Sequence, residues 1–235
     1  MEENLEKIKR EDNPFEDEAI SKEWISSVEN ERGMIREKEL YPMIVKWIEK
    51  IKPKRIIDIG AGQGGCANIV QLEGVEYVGV EPSKYLVARA EEINKKENRH
   101  FIIGTAYNLP IPDKSFDAAF SVNVWFHLQD LNTASKELAR VLLPNGKFFI
   151  CTANPDAYGV WQQMFDSDAK VDEKIIDGKV NIPVNPLSRN LFFKHSMEET
   201  LDAFTNNGLI VDKTETSGVL NEQKPLFINF FGHAS

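Results

Sequence analysis

The stretch Arg55-Ile56-Ile57-Asp58-Ile59-Gly60-Ala61-Gly62-Gln63-Gly64-Gly65 decides how the rest of the chain is read. Its first half is a short β-branched apolar run, which fits a strand buried on both faces. The glycines that follow allow a tight turn and let a ligand approach the main chain, and a helix from Gly64 to Leu72 is expected next. Downstream the chain alternates similar apolar runs with helical segments. Strands are expected at Val75 to Val80, His100 to Ile103, Phe116 to Ser121 and Lys147 to Cys151, and helices at Lys84 to Lys95 and Thr133 to Leu142. That alternation is the mark of an α/β fold with a mostly parallel sheet and crossover helices.

Upstream, residues 1 to 14 are rich in Glu and Lys and read as a frayed arm. Two helical stretches follow between Phe15 and Ile51, the second carrying Ile44, Val45, Trp47, Ile48 and Ile51 mostly on one face. Lys52-Pro53 stops it. Residues 1–52 are therefore expected to pack on a main domain spanning 53–235. Within that domain, residues 154–195 are rich in Pro, Asn, Asp and Gly and read as an insertion or lid over the sheet edge. Asp177-Gly178 in it suggests a hairpin turn between Ile175-Ile176 and Val180 to Ile182. Ser196-Met197-Glu198-Glu199 is a capping box opening a helix to about Asn206, which Asn207-Gly208 ends. Leu209 to Lys213 and Leu226 to Phe231 close the sheet.

The chain has 235 residues, enough for one substantial core, and 42% hydrophobic content, ordinary for a globular protein. Its two cysteines, Cys66 and Cys151, make neither a disulfide framework nor a metal-ligand spacing, so no metal is expected. No window approaches the roughly 18 consecutive apolar residues of a membrane span, and with a charged N-terminus the expectation is a cytoplasmic protein. The net charge of −9 has no basic cluster within it, which argues against nucleic acid and for a small-molecule partner. Oligomeric state is not legible.

Gly60, Gly62 and Gly65 satisfy a dinucleotide fingerprint, and Glu81 stands at a suitable distance to hold a ribose, so an NAD-binding oxidoreductase is one reading. Asp58 opposes it, because a carboxylate there would face a pyrophosphate across a partly dry site. S-adenosylmethionine has an ammonium, a sulfonium, one carboxylate and no phosphate, so beside it Asp58 is favourable.

With Tyr77-Val78-Gly79-Val80-Glu81-Pro82-Ser83, Asn108 to Asp117 and Glu137 to Lys147 following the glycine loop in order, residues 55 to 151 resemble the class I S-adenosylmethionine-dependent methyltransferases of the small-molecule branch. The resemblance implies a Rossmann-like, seven-stranded, mostly parallel sheet with helices on both faces. It implies S-adenosylmethionine as cofactor, S-adenosylhomocysteine as product, and a small-molecule acceptor methylated by in-line displacement. It places Gly60, Ala61 and Gly62 against the methionine and ribose, Asp58 on the ammonium and Glu81 on both ribose hydroxyls. Pro82, Thr105 and Ala106 would border the adenine, Thr105 standing where the family often has an aspartate. Ser121 and Asn123 would face the sulfonium, and Arg36 would reach the cofactor carboxylate.

No Asn/Asp-Pro-Pro-aromatic run marks an amino-group methylase; Ser121-Val122-Asn123-Val124 stands there instead. An oxygen acceptor calls for a general base, and His127 and His195 are the candidates. Tyr158, Trp161 and Phe165 read as aromatics of the lid. The departure at Thr105 leaves a non-catalytic S-adenosylmethionine-binding module as a further alternative.

Overall fold

The alternation of strand faces builds the molecule. A computed structural model describes residues 13–30, 36–70, 74–157, 159–160, 179–183, 189–219 and 224–235. Helices α1 (Glu18–Asn30) and α2 (Tyr41–Ile51) come first, and α2 buries Ile44, Trp47 and Ile48 along one stripe before Lys52, at φ 47°, turns the chain out ahead of Pro53. Then come β1 (Arg55–Ile59), β2 (Glu76–Glu81), α3 (Lys84–Ile93), β3 (Arg99–Ile103), β4 (Phe116–Val122), α4 (Leu131–Val141) and β5 (Leu142–Ala153). A hairpin of β6 (Lys179–Pro183) and β7 (Arg189–Phe193), helix α5 (Met197–Thr205), β8 (Leu209–Ser217) and β9 (Phe227–Ala234) complete the chain.

The main sheet has seven strands in the order β3-β2-β1-β4-β5-β9-β8. β1 to β5 run parallel, and β9 is antiparallel to both of its neighbours. Adjacent residues point to opposite cores, as strand geometry requires. Ile56, Tyr77, Phe120 and Phe149 pack with Trp47 and Ile48 of α2 and Ala90 of α3. Ile57, Val78, Ala119 and Phe148 pack with Leu138 of α4 and Phe204 of α5. With both faces covered, ligand access is left to the carboxyl ends of the parallel strands, beside the β1/β4 position where the strand order reverses.

One expectation is corrected. The helix foreseen from Gly64 to Leu72 is a single 3-10 turn, Cys66–Asn68, within the described residues. Left-handed backbone at Gly60, Gly62 and Gly64, and the Asn94 side-chain amide donating to the Gly64 carbonyl at 3.2 Å, keep the chain out of helix until Gly65. Val180, Asn181 and Ile182 stand opposite Phe192, Leu191 and Asn190 in the β6–β7 pair. Asp177-Gly178 and Ile175-Ile176 lie outside the described residues, as do Tyr158, Trp161, Phe165 and residues 1–12. The end of the predicted arm is tied down: Asn13 caps a 3-10 turn, and the Phe15 carbonyl accepts from the hydroxyls of Ser21 and Ser83. Among the described residues no helix is long and apolar enough to cross a membrane.

Candidate active site

The glycine loop is held against the end of β2, where the Val80 carbonyl accepts from the amides of Gly60 at 2.7 Å and Ala61 at 3.1 Å. Glycine is required at position 60, because φ is +79° and a Cβ there would stand 2.2 Å from Cγ2 of Val124. Gly62 differs: φ is +55°, but a Cβ would meet nothing within 4 Å. The space over Gly62 is thus open, and Glu81 borders it.

Glu81 is 6% exposed, so it is not a solvated turn carboxylate. Its two oxygens accept from the amides of Gly62 at 3.1 Å and Ser83 at 3.0 Å. Burial pushes the carboxyl up to about 7, with the Ser83 and Gly62 amides pulling it back. Asp58 is 2% exposed and accepts from the Tyr77 hydroxyl at 2.6 Å, so it is not a turn cap. Burial pushes it also up to about 7; the Tyr77 hydrogen bond opposes this and the charge of Glu81 adds to it. Two buried carboxyls on adjacent strand ends, both near neutrality, make a site that gains from a cation and from hydroxyl donors.

Arg36 lies in a turn, Arg36–Leu40, before α2. Burial pushes Tyr41 up to about 12, and the charge and hydrogen bond of Arg36 hold it back. The same charge acts on Cys66, just past the glycine loop, and on Cys151, at the end of β5. The guanidinium is therefore directed toward the carboxyl ends of the central strands. Ser121 is fully buried and its hydroxyl donates to the Ile59 carbonyl at 2.7 Å, tying β4 to β1. Asn123 takes a left-handed φ of 62° and donates its amide to the Cys151 carbonyl at 2.9 Å. Its Oδ1, and Oε1 of Gln63 in the glycine loop, are buried without a hydrogen-bond partner. Ala106 is buried and Thr105 half-buried, with the Thr105 carbonyl accepting from Asn108; Pro82 is half-buried before Ser83, the N-cap of α3.

The histidines sit on the other side of β4. The 3-10 turn Trp125–His127 follows Asn123, and the His127 ring lies 4.3 Å from that of Phe126, centroid to centroid. β7 packs against this turn. His195 places Nε2 at 2.6 Å from the Leu128 carbonyl. A carbonyl only accepts, so Nε2 carries the hydrogen and Nδ1 is the acceptor of the neutral ring. His195 also lines a narrow cleft with Trp125, Thr152, Phe193 and Met197. The described residues include no cluster of His, Cys, Asp and Glu that could hold a metal ion.

The residues present fit a cofactor with a diol, an ammonium and a carboxylate. Glu81 has lone pairs remaining for the first, Asp58 and the unpartnered oxygens of Asn123 and Gln63 suit the second, and Arg36 suits the third. They suit a dinucleotide poorly, because the three-residue turn after the glycines offers no helix N-terminus to a pyrophosphate and two buried carboxyls stand beside it.

Residues 57–150 match the family model described as the methyltransferase domain. Over those residues the chain is similar to a methyltransferase domain. An uncharacterized methyltransferase of Schizosaccharomyces pombe is 38% identical over 126 residues, which are 48% of this chain and 43% of that protein. The norajmaline N-methyltransferase of Rauvolfia serpentina is 31% identical over 132 residues, 54% of this chain and 45% of its own length. The chain thus spans less than half the length of these curated relatives. A protein of known structure from Pyrococcus horikoshii superposes with a TM-score of 0.72 at 24% identity, covering 88% of this chain and 93% of that one. The sequence pointed to Asp58, Glu81 and the glycine loop, which the fold brings together, while His127 and His195 stand apart from them across β4. Three participants carried no signal alone: Tyr77, a strand residue; Gln63, among glycines; and Trp125, an aromatic beside an apolar run.

Proposed function

We propose that this methyltransferase domain binds S-adenosylmethionine over the carboxyl ends of β1, β2 and β4 and methylates a small-molecule acceptor. The observation that carries the reading is the pair of buried carboxyls, Asp58 and Glu81, flanking the open space at Gly62. When bound, the cofactor supplies an electrophilic methyl on a sulfonium and departs as S-adenosylhomocysteine. Glu81, fixed by the amides of Gly62 and Ser83, accepts from the ribose hydroxyls. Asp58, kept in place by Tyr77, attracts the ammonium together with Oδ1 of Asn123 and Oε1 of Gln63. Arg36 receives the carboxylate, and Pro82, Thr105 and Ala106 border the adenine. Ser121 acts by holding β4 to β1.

On the acceptor side the chain aligns a nucleophile and excludes water. Strand β7 supplies a wall there, since it packs on the Trp125–His127 turn. His195 is the residue placed to take up a proton, at Nδ1, with Nε2–H held by Leu128; His127 is the second candidate. A small-molecule acceptor fits a chain of net charge −9 without a basic cluster, and the Rauvolfia relative is named for a substrate of that kind.

The test is transfer of labelled methyl from S-adenosylmethionine into the low-mass fraction of a cell extract. Label should enter that fraction with wild-type protein and not with Glu81→Ala. Equal incorporation by both, or none with wild type that demonstrably binds S-adenosylhomocysteine, would count against the reading.

A further inference from the structure

Asn94 is remote from the glycine loop in sequence and in contact with it in the fold. It is the C-cap of α3 and is 3% exposed. Its side-chain nitrogen donates to the Gly64 carbonyl at 3.2 Å and to the Ala90 carbonyl at 3.0 Å. Its side-chain oxygen accepts from Nη1 of Arg99 at 3.2 Å. Arg99, the first residue of β3, is 8% exposed, and its guanidinium also donates to Oδ1 of Asn68 and to the Val70 carbonyl. A guanidinium has donors and no acceptor, so it holds the amide with its oxygen toward Arg99 and its nitrogen toward the loop. Gly64 has a φ of +80°, and a Cβ there would stand 2.5 Å from Nδ2 of Asn94 and 3.0 Å from Cβ of Ala90, so the end of α3 is a close-fitting seat for it. The Gly64 amide closes a turn on the Ala61 carbonyl at 3.0 Å, and the Ala61 amide is held by the Val80 carbonyl. The turn 61–64 is thus fixed at both ends, and between them the Gly62 amide donates to Glu81.

We infer that Asn94 is a positioning residue for the cofactor site: oriented by Arg99, its amide seats the turn 61–64 so that the Gly62 amide meets Glu81, and binding of the S-adenosyl group depends on that seat. The cofactor in this inference rests on the reading proposed above, while the seat is a property of the free protein. Without the Asn94 side chain the Gly64 carbonyl keeps the Ala67 amide, and the Ala90 carbonyl keeps the backbone amide of Asn94. The loss therefore falls on the placement of the loop more than on global stability.

Backbone amide resonances of the full chain test the seat, followed as pH passes through about 7, where Glu81 takes up its charge. In wild type the Gly62 and Ser83 amide protons should both move downfield, since a charged acceptor strengthens each bond. Both movements should vanish in Glu81→Gln, which separates them from the titration of Asp58. In Asn94→Ala the Gly62 movement should fall below about half while that of Ser83 persists, and S-adenosylhomocysteine should bind about tenfold more weakly by calorimetry. Asn94→Asp keeps the shape and the Arg99 contact but turns an oxygen onto the Gly64 carbonyl, so it should give the same pattern should the alanine variant fail to fold. A general loss of stability does not produce this pattern. Val87→Ala, a buried apolar truncation in the same helix, should lower Tm and leave both amide movements and the affinity as in wild type. A Gly62 movement unchanged in the Asn94 variants overturns the inference, as does unchanged affinity in a variant that has lost the movement. Wild type that shows the Gly62 movement and does not bind S-adenosylhomocysteine sinks the cofactor reading and leaves the seat standing.

Discussion

Raising the pH from about 5 to about 8 perturbs the two buried carboxyls at once, and it should move stability and cofactor affinity in opposite directions. Below about 4.5 Glu81 holds its proton in the folded and the unfolded chain alike, and above about 7 it has released it in both. Between those values the folded protein keeps a proton that the unfolded chain has lost, so the stability of the cofactor-free protein falls as pH rises through the window. A rise from 4.5 to about 7 corresponds to roughly 3 kcal/mol for Glu81, and Asp58, also raised to about 7, adds in the same sense. The carboxyls of Glu76 and Glu199, held below the ordinary range by hydrogen bonds from Arg55 and the Ser196 amide, titrate beneath this window and do not mask it. Binding of a diol and an ammonium needs the ionised forms, so affinity for S-adenosylhomocysteine should rise as pH passes through about 7. Thermal denaturation of the cofactor-free protein across this range, beside the double variant Asp58→Asn, Glu81→Gln, reads the first effect. The slope should be present in wild type and largely absent in the variant. Parallel slopes in the two proteins would refute the assignment of neutral pKa values to this pair.

Other perturbations separate fold from function. Gly60→Ala puts a Cβ into Val124 at a left-handed φ, and it should cost about 3 kcal/mol, seen as a Tm lowered by roughly 6 to 12 °C. Gly62→Ala meets open space, so it should cost only about 1 kcal/mol of stability while weakening S-adenosylhomocysteine at least tenfold by calorimetry, since the methyl enters the ligand's space. Tyr77→Phe removes the hydrogen bond that lowers the Asp58 pKa, so the midpoint of the affinity profile against pH should move upward. Ser196→Ala removes the arm of the α5 capping box in which Ser196 Oγ accepts from the Glu199 amide, and should cost about 1 kcal/mol in urea unfolding, with cofactor affinity unchanged.

The parallel strands were legible because period-two burial on both faces leaves β-branched runs, and Arg55–Ile59 reads from sequence as it stands in the fold. The capping box at Ser196 was legible because its hydrogen bonds join residues three apart. The segment after the glycine loop was not, because its conformation depends on Asn94, thirty residues away and contributed by α3. The pairing of Val180 to Ile182 with residues 190–192 was not legible either, because no turn signal was read between them. In the site, Asp58 and Glu81 stood out as charges in apolar strands. Their partners did not: Tyr77 reaches Asp58 across a strand pair, and the isolation of Nε1 on Trp125 exists only once α5 has packed.

The central claim is that the glycine loop and its two carboxyls hold an S-adenosyl group and not a dinucleotide. Calorimetric titration of the full chain with S-adenosylhomocysteine and, separately, with NADH at about pH 8 tests it most directly. Saturable binding of S-adenosylhomocysteine at one site, abolished by Glu81→Ala, with no heat from NADH, is the expected result. Saturable binding of NADH, with S-adenosylhomocysteine inert, would contradict the account.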